Sequence, residues 1–409
     1  MILLDFSKNC SIKFRILEEV VNVPRALIFD FNENYGELDL IDQETVEEEE
    51  DYSEQQMEIY KQPKTKQVDK PGIDKEPKFW SDFCSLPFKQ DSFVKFSRFE
   101  RWSFFDGGAS KCGYQTGKLA FQSLEKEESV LDSEFRNLLE SCDSISGIQM
   151  ISDSSGEFAG FANGFLEYIC DELNKTSCFV YPVSESPSIL WDINRSSDMA
   201  IQLASNSELE YPVIPLIRPL LKNRSKDPII SSLNANSWYQ SSFLMSLVID
   251  SINFPKINSN ISANDFLNKV GYSNTELPIS SKLSFLTDSN SPLEPEWIEF
   301  LYSTENKSKS EGSKNSLEIS RGFDEYSGFD YEWNLNVKTV LELENPNINK
   351  GKELAGGAFK YDCGKDSIDF CTKVLKDLKN NYLYRNFFGR DEIYDYEEVL
   401  FEKIEQNQD

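Results

Sequence analysis

The stretch SCDSISGIQMISDSSGEFAGFANGFLEYICDEL (Ser141 to Leu173) decides the fold, because it joins a strand pattern, a Gly/Ser turn and a helix pattern without interruption. Ile145, Ile148, Met150 and Ile151 form a short apolar run, typical of a parallel strand that is covered on both faces. The apolar residues after the turn gather on one side of a helix: Phe161, Phe165, Leu166, Ile169 and Leu173. This order predicts a strand-turn-helix unit of an α/β fold.

The turn itself, DSSG (Asp153 to Gly156), has the geometry of a phosphate site, since an anion placed there would face backbone N–H groups at a helix start. Two residues argue against that use. Glu157 puts a carboxylate where the anion would lie, and Phe158 adds bulk where a close backbone approach needs glycine. The pattern alone leaves two interpretations open: an ordinary strand-turn-helix connection, or a phosphate-binding turn that has lost glycines.

The composition limits the class of protein. The chain has 409 residues, 39% of them hydrophobic, which is enough for two domains with packed cores. Its net charge of −28 argues against non-specific binding to nucleic acid or anionic membranes, because those surfaces require clustered Lys and Arg. Part of the charge lies in EEEED (Glu47 to Asp51), inside a polar segment, residues 43–78, that predicts a disordered acidic insertion.

The chain contains no histidine, which excludes Ser-His-Asp and Cys-His nucleophile pairs, His-ligated zinc and His-ligated haem. Its eight cysteines form no CxxC pair and follow no secretory signal, so we expect reduced thiols in a cytosolic protein. No apolar run approaches the ~20 residues that a membrane-spanning helix needs. A membrane span is therefore not expected.

Residues 303–316 form a low-complexity segment that predicts a flexible loop. Apolar residues at helical spacing predict C-terminal helices over residues 366–406.

Four local patterns predict single elements. RALIFDF (Arg25 to Phe31) is rich in strand-forming residues, and residues 145–183 form a strand-helix-strand unit. A nearly continuous apolar run predicts a central helix over residues 239–252. The Gly356-Gly357 pair predicts a turn.

Several short segments resemble tubulins in the correct order. NVPRALIFDF (Asn22 to Phe31) is similar to the tubulin segment VPRAVFVDLEP, and residues 144–166 align without gaps on GLQGFxxxHSxGGGTGSGxGxLL. IQLASNSELEYPV (Ile201 to Val213) resembles HQLxENTDETYCI. FWSDFC (Phe79 to Cys84) and CDSISGIQ (Cys142 to Gln149) match the VWSDFL and CDxLQGFQ motifs of the Misato family, the divergent tubulin-like proteins linked to mitochondrial inheritance.

The resemblance implies an α/β fold with two domains. Residues 1–225 would form a tubulin/FtsZ-like parallel-sheet nucleotide-type domain, and residues 226–409 a smaller α+β domain with the loop at 303–316 and the C-terminal helices. It also places a degenerate nucleotide site. The tubulin glycine-rich loop falls on residues 155–161, where Gly156 is retained, Ser155 replaces glycine and Gly160 is a near substitute. Asp192 falls at the ribose-contacting glutamate.

Other positions of the implied nucleotide site have changed. The asparagine that reads guanine falls on Pro215, which has no side-chain donor or acceptor. Asp30 is kept, but Asn32 replaces the acidic residue two positions later, which weakens a magnesium site. The residues before Val23 contain no counterpart of the tubulin N-terminal glycine loop, so either the chain is truncated or the site is open on that side. The acidic segment that activates water in tubulins has no counterpart near residues 233–239. We therefore expect no GTP hydrolysis, no catalytic residues, no metal site and no bound cofactor.

The function implied by the resemblance is non-catalytic: mitochondrial distribution, morphology and DNA inheritance through protein partners, in the cytoplasm and at mitochondria. The expected partners are tubulin, the cytosolic chaperonin or mitochondrial surface proteins, and no nucleic acid. Two alternatives stay open. One is a GTP-binding, self-assembling cytoskeletal protein with residual GTPase activity, and the other is a scaffold for tubulin folding or assembly.

Overall fold

The computed structural model divides the chain into two compact units, residues 1–111 with 119–151 and residues 112–118 with 152–409. The residues that the structure describes are 2–4, 11–16, 19–36, 79–83, 92–96, 113–127, 131–140, 142, 145, 147–173, 176–184, 192–219, 237–259, 263–272, 276–287, 297–301, 316–321 and 354–407.

The strands of the described residues are, in chain order, β1 (Ile2–Leu4), β2 (Ser11–Ile16), β3 (Glu19–Pro24), β4 (Ala26–Phe31), β5 (Phe93–Phe96), β6 (Ile148–Asp153), β7 (Cys178–Ser184), β8 (Leu216–Ile217), β9 (Ser280–Thr287), β10 (Ile298–Glu299), β11 (Ser316–Arg321) and β12 (Leu354–Asp362).

The α-helices of the same residues are α1 (Trp80–Phe83), α2 (Gly113–Glu127), α3 (Arg136–Glu140), α4 (Glu157–Glu172), α5 (Ile193–Glu208), α6 (Trp238–Ser259), α7 (Ala263–Lys269), α8 (Lys365–Asn380), α9 (Tyr382–Phe387) and α10 (Arg390–Gln406). A 3₁₀ turn covers Asn32–Asn34, and a π-helical turn, Leu131–Phe135, precedes α3.

The first unit is built on a mixed sheet with the strand order β5-β4-β1-β6. β4 and β5 are parallel, with Ile28 opposite Phe93. β1 lies antiparallel between β4 and β6, so that Ile2 is opposite both Leu27 and Met150. This antiparallel strand is an addition to the parallel arrangement that the sequence predicted. β2 and β3 form a separate antiparallel pair.

The core of the first unit contains a buried tyrosine that fixes the β4–β5 pair. Tyr35 is fully buried, and its hydroxyl lies 2.9 Å from the carbonyl oxygens of both Ile28 and Val94. Its ring meets Phe93 edge-on at 5.5 Å. A buried tyrosine needs such partners because an unpaired hydroxyl in an apolar core is costly.

The second unit contains the parallel pair β7–β8 and a four-stranded antiparallel sheet with the order β10-β9-β12-β11. Phe266 of α7 lies between two aromatic rings, Phe179 of β7 at 5.8 Å and Tyr361 of β12 at 5.9 Å. Both ring pairs are edge-to-face, the arrangement favoured by aromatic quadrupoles. These rings join the parallel pair, α7 and the antiparallel sheet in one core.

The C-terminal helices pack on α5, which contacts both α8 and α10. The buried residues of α8 recur every three or four positions: Ser367, Phe370, Cys371, Val374, Leu375 and Leu378. α10 buries Ile393, Tyr396, Leu400 and Ile404 at the same spacing. The period of an α-helix places each set on one face, which explains why the sequence pattern located these helices.

The main predicted elements are confirmed. β6, α4 and β7 form the strand-helix-strand unit predicted over residues 145–183, and β4 covers the predicted strand near Arg25. α6 contains the central helix, and α8, α9 and α10 cover residues 366–406 almost completely. The predicted insertion at 43–78, residues 303–315 of the loop predicted at 303–316 and the domain boundary at 225 lie outside the described residues, whereas Ser316 begins β11.

The turn predicted at Gly356-Gly357 is wrong. Both glycines lie inside β12, where Gly357 is opposite Phe285 of β9 and the register shifts between Leu354 and Gly356. Glycine inside a strand often marks a bulge of this kind, because the extra residue needs unusual backbone freedom.

Candidate functional site

The turn singled out by the sequence connects β6 to α4. Ser154 is buried, and its N–H donates to the Val183 carbonyl oxygen of β7 at 2.9 Å. Gly156 has φ 78° and ψ −157°, in the region that side chains rarely adopt, although a Cβ there would meet no atom within 4 Å. Glycine is therefore required at 156 by the backbone conformation and not by crowding.

The Gly156 amide donates a hydrogen bond to a side chain of α5. Its N–H donates to Oδ2 of Asp198 at 2.8 Å. The other carboxyl oxygen, Oδ1, accepts a hydrogen bond of 2.5 Å from the Tyr384 hydroxyl of α9. Only 4% of Asp198 is exposed. One buried carboxyl group thus links the turn, α5 and α9.

Burial raises the pKa of Asp198 to about 7. The hydrogen bonds from Tyr384 and Gly156 oppose this shift because they stabilise the charged form, Asp192 adds to it, and Arg195 opposes it. This carboxyl group consequently changes charge near neutral pH.

Gly160, the near substitute in the predicted site, has a packing partner. A Cβ on Gly160 would lie 1.8 Å from the Tyr114 carbonyl oxygen of α2, and a Cβ on Gly117 would lie 1.7 Å from the Glu157 carbonyl oxygen of α4. Distances this short would force the backbones apart, so both glycines allow α2 and α4 to touch. Ser155 lies half-buried in the turn.

Asp192, the predicted ribose-contacting residue, is the N-cap of α5. Its Oδ1 accepts from the N–H groups of Asn194 at 3.0 Å and Arg195 at 3.4 Å, and its Oδ2 lies 3.7 Å from the Arg195 guanidinium. Aspartate is among the preferred N-cap residues because it satisfies amides that lack a helical partner. The structure thus gives Asp192 a local role in starting α5.

In the first unit, the Asp30 carboxylate accepts hydrogen bonds from three nearby N–H groups. Oδ1 accepts from the Phe31 amide and the Asn34 side chain, both at 2.7 Å, and Oδ2 accepts from the Trp80 indole at 2.7 Å. Trp80 belongs to the FWSDFC motif, so the structure connects that motif directly to the end of β4.

Pro215 is buried between two backbone pairings in the second unit. Val213 forms a parallel bridge with Val180 of β7, and Leu216 begins β8 opposite Val183. A proline fits here because it lacks an N–H that would need a partner.

The described part of the chain contains no group of three or more His, Cys, Asp or Glu residues placed to hold a metal ion. None of the helices seen there combines the length and the apolarity that a membrane crossing demands. A cavity of about 10 Å³, roughly one water molecule, lies in the second unit beside Tyr211, Tyr272, Cys371 and Leu400. That cavity is too small for a nucleotide.

Asp198 and Tyr384 were missed by sequence reasoning. The available signal was Asp198 itself, a charged residue within a helical segment whose neighbours Met199, Ala200 and Ile201 are apolar and prove fully buried. A carboxyl group is seldom buried without partners, so its position in that run indicated a specific contact. Tyr384 gave no comparable signal.

Residues 73–257 match the tubulin domain family. This part of the chain, less than half of its length, is therefore similar to tubulin domains, and the described residues form an α/β fold.

Individual relatives show which tubulin-like proteins the chain resembles. The chain is 27% identical to Protein DML1 of Coccidioides immitis over 44% of the chain and 34% of that protein. It is 24% identical to Protein dml1 of Aspergillus niger over 61% and 51%, and 34% identical to Protein dml-1 of Neurospora crassa over 28% and 20%. The matches thus span about half or less of these relatives. These matches agree with the resemblance to Misato-type tubulin-like proteins that the sequence segments indicated.

Proposed function

We propose that this protein is a non-catalytic, tubulin-like scaffold that acts in mitochondrial distribution, morphology and DNA inheritance through protein partners. The process is taken from the resemblance to the Misato family, and the location proposed is the cytoplasm and the mitochondrial surface. The partners expected are tubulin, the cytosolic chaperonin or proteins of the mitochondrial surface.

The proposal that the protein acts through partners is based on the exposed apolar side chains of α9 and α10. Five of the eight large apolar side chains that are exposed among the described residues lie on α9 and α10, which we call the C-terminal apolar surface: Tyr382, Leu383, Phe387, Tyr394 and Phe401. Tyr382 is 66% exposed and Tyr394 51%. Exposed apolar side chains concentrated in one short region are typical of protein-binding sites.

Charge defines the partner that fits this surface. α10 exposes five acidic residues around Tyr394 and Phe401: Asp391, Asp395, Glu398, Glu402 and Glu405. Arg385 lies over the Tyr394 ring at 5.4 Å and Lys379 over the Phe401 ring at 5.0 Å, which helps to hold both rings in place. We infer that the partner presents a basic, amphipathic segment, because apolar anchors and Lys or Arg would meet matching groups.

The nucleotide-type turn supports the non-catalytic part of the proposal. In a phosphate-binding turn the backbone amides face the ligand, whereas here the Gly156 amide donates to Asp198. The Asp30 carboxylate already accepts three N–H bonds, and Pro215 offers no group that reads a base. None of these residues, each considered within its own unit, fits the role that it would have with a guanine nucleotide and magnesium, and we propose no cofactor.

Complementation tests the proposal. Cells depleted of the protein should show abnormal mitochondrial morphology and reduced transmission of mitochondrial DNA, and the wild-type chain should restore both. The double variant Tyr394→Ser/Phe401→Ser should keep the wild-type melting temperature but fail to restore them, because both residues are exposed. Leu119→Ser, at another exposed apolar position, is the matched control and should restore both. Normal mitochondria after depletion would refute the proposed process.

Equilibrium dialysis with GTP and magnesium tests the alternative of a GTP-binding cytoskeletal protein. We expect no saturable binding at millimolar nucleotide. Binding that is lost in Gly156→Leu would replace the present proposal with that alternative.

A further inference from the structure

The Asp198 side chain occupies a position that no motif predicted. It lies at the meeting point of the turn before α4, the second turn of α5 and the start of α9. Its two oxygens have separate partners, the Gly156 amide at 2.8 Å and the Tyr384 hydroxyl at 2.5 Å. Both contacts lie within the second unit.

The position of Tyr384 is fixed by a second contact one turn earlier. Asn381, which is 3% exposed, donates through Nδ2 to Ser197 Oγ and Asn194 Oδ1 at 3.0 Å each. The Tyr384 hydroxyl also lies 3.2 Å from the Asn194 carbonyl oxygen. The start of α9 is therefore attached to the first turns of α5, on the side where Asp198 lies.

The backbone at Gly156 matches this arrangement. Its positive φ brings its own N–H toward α5, at the N-terminus of α4. That end of a helix carries a partial positive charge and favours an acidic group. An amide that donates to Asp198 does not donate at the same time to a phosphate oxygen in the same direction.

We propose that Asp198 is the internal ligand of this turn: its carboxyl group takes the hydrogen bond that a phosphate would receive from Gly156, and Tyr384 positions it. The turn then keeps its shape without nucleotide, through a contact that depends on the C-terminal helices. This inference rests on the proposal that the protein works without GTP, but its test is independent of mitochondrial function.

Amide hydrogen exchange of the full chain, read on the peptide that contains Gly156, tests the inference. Asp198→Ala should speed exchange there by about tenfold, since the amide loses its acceptor. Formate is the probe for the vacated position, because it supplies a carboxylate small enough for the space left by the side chain. Added formate should slow exchange in Asp198→Ala and leave the wild type unchanged. Equal exchange in Asp198→Ala and wild type, or no response to formate, would overturn the inference.

Two tyrosine variants separate positioning from a general loss of stability. Tyr384→Phe should speed exchange at Gly156, whereas Tyr396→Phe should not, although it also removes a buried hydroxyl, one that lies 3.3 Å from Glu392. If Asp198→Ala does not fold, this pair and Asp198→Asn still decide the question. Asp198→Asn keeps an oxygen that accepts from the Gly156 amide, so the Gly156 amide should exchange at the wild-type rate in this variant.

The outcomes distinguish this inference from the proposed function. Slower exchange at Gly156 in the wild type on addition of GTP and magnesium would overturn both. Failure of the mitochondrial complementation experiment with the expected exchange pattern would overturn only the proposed function.

Discussion

The backbone of Gly160 lies directly against that of Tyr114, so that a Cβ on Gly160 would come within 1.8 Å of the Tyr114 carbonyl oxygen. Gly117 has the reciprocal relationship with Glu157 at 1.7 Å. Helices approach this closely only where side chains are absent, and α2 and α4 use one glycine each. Gly160 aligns with the tubulin nucleotide loop, but the close packing of α2 against α4 is enough to explain why this residue is glycine.

Replacement of these glycines by alanine gives the first prediction. In an open helix position Gly→Ala stabilises by about 1 kcal/mol. At Gly160 or Gly117 we expect a loss of about 2–3 kcal/mol, because the added methyl group would overlap a backbone carbonyl. Urea unfolding of the two variants measures this loss of stability. Gly113→Ala is the graded control. Its Cβ would lie 3.3 Å from Gly156, so this substitution should destabilise the protein less. Increased stability in Gly160→Ala would contradict the contact.

The contact between Asp30 and Trp80 gives the second prediction. Trp80→Phe keeps an aromatic ring but removes the indole N–H that donates to Oδ2 at 2.7 Å. We expect a loss of about 1–3 kcal/mol, the range for removing a hydrogen bond to a charged acceptor.

A double-mutant cycle with Asp30→Asn isolates this pair. The combined variant should be more stable than the sum of the two single losses predicts, since the second change no longer removes an interaction. Asn34→Ala, which removes a different donor from the same carboxylate, is the comparison. Strict additivity between Trp80→Phe and Asp30→Asn would show that the hydrogen bond contributes nothing.

The raised pKa of Asp198 gives a prediction about pH. In the folded protein this pKa is about 7, against 3.8 for the ordinary group. Between these values the folded state holds a proton that the unfolded chain has released, so the contribution of Asp198 to stability falls as pH rises through this window. The groups that act on this titration are the Tyr384 hydroxyl, the Gly156 amide, Asp192 and Arg195, and Tyr114 of α2 also interacts with Asp198.

Asp198→Asn removes the titration while keeping the shape of the side chain. The free energy of unfolding of the wild type, relative to Asp198→Asn, should therefore decrease between pH 5 and pH 7, by at most about 1.4 kcal/mol per pH unit. Urea unfolding of both proteins at several pH values measures the difference. A difference that stays constant from pH 5 to pH 8 would rule out a titrating group at this position.

Lys282 of β9 gives the last prediction, because several carboxylates surround it. Its Nζ lies 2.7 Å from Asp366 and 3.6 Å from Glu299, and the pKa of the nearby, largely buried Asp362 is raised by burial. Lys282→Met would leave these acids without their shared cation. We expect a loss of about 3 kcal/mol at pH 7.

The loss in Lys282→Met should become smaller at pH 5, because burial raises the pKa of Asp362 and the lower pH favours its neutral form, which repels the neighbouring carboxylates less. Chemical unfolding at the two pH values provides the measurement. Lys373→Met, which removes a half-buried i,i+4 ion pair with Asp377 within α8, is the control and should cost less than about 1 kcal/mol at either pH. Equal losses for Lys282→Met at pH 5 and pH 7 would contradict the proposed charge cluster.

Much of the architecture could be predicted from local patterns. β6, α4 and β7 follow from apolar runs and helical spacing around a Gly/Ser turn, and α8 and α10 follow from apolar residues every three or four positions. These predictions succeed because an element that buries one face must repeat apolar residues with its own period. The tubulin-like order of the segments supplied the fold class.

The sequence by itself determined the strand-turn-helix unit, the exclusion of histidine chemistry and the relation to tubulin-like proteins. Only the tertiary structure decided what the turn contacts. Asp198 is 42 residues from Gly156 and Tyr384 is 186 residues from Asp198, so no periodic pattern connects them. A hydrogen bond depends on the positions of two atoms in space, and those positions are set when α5 and α9 pack beside the turn.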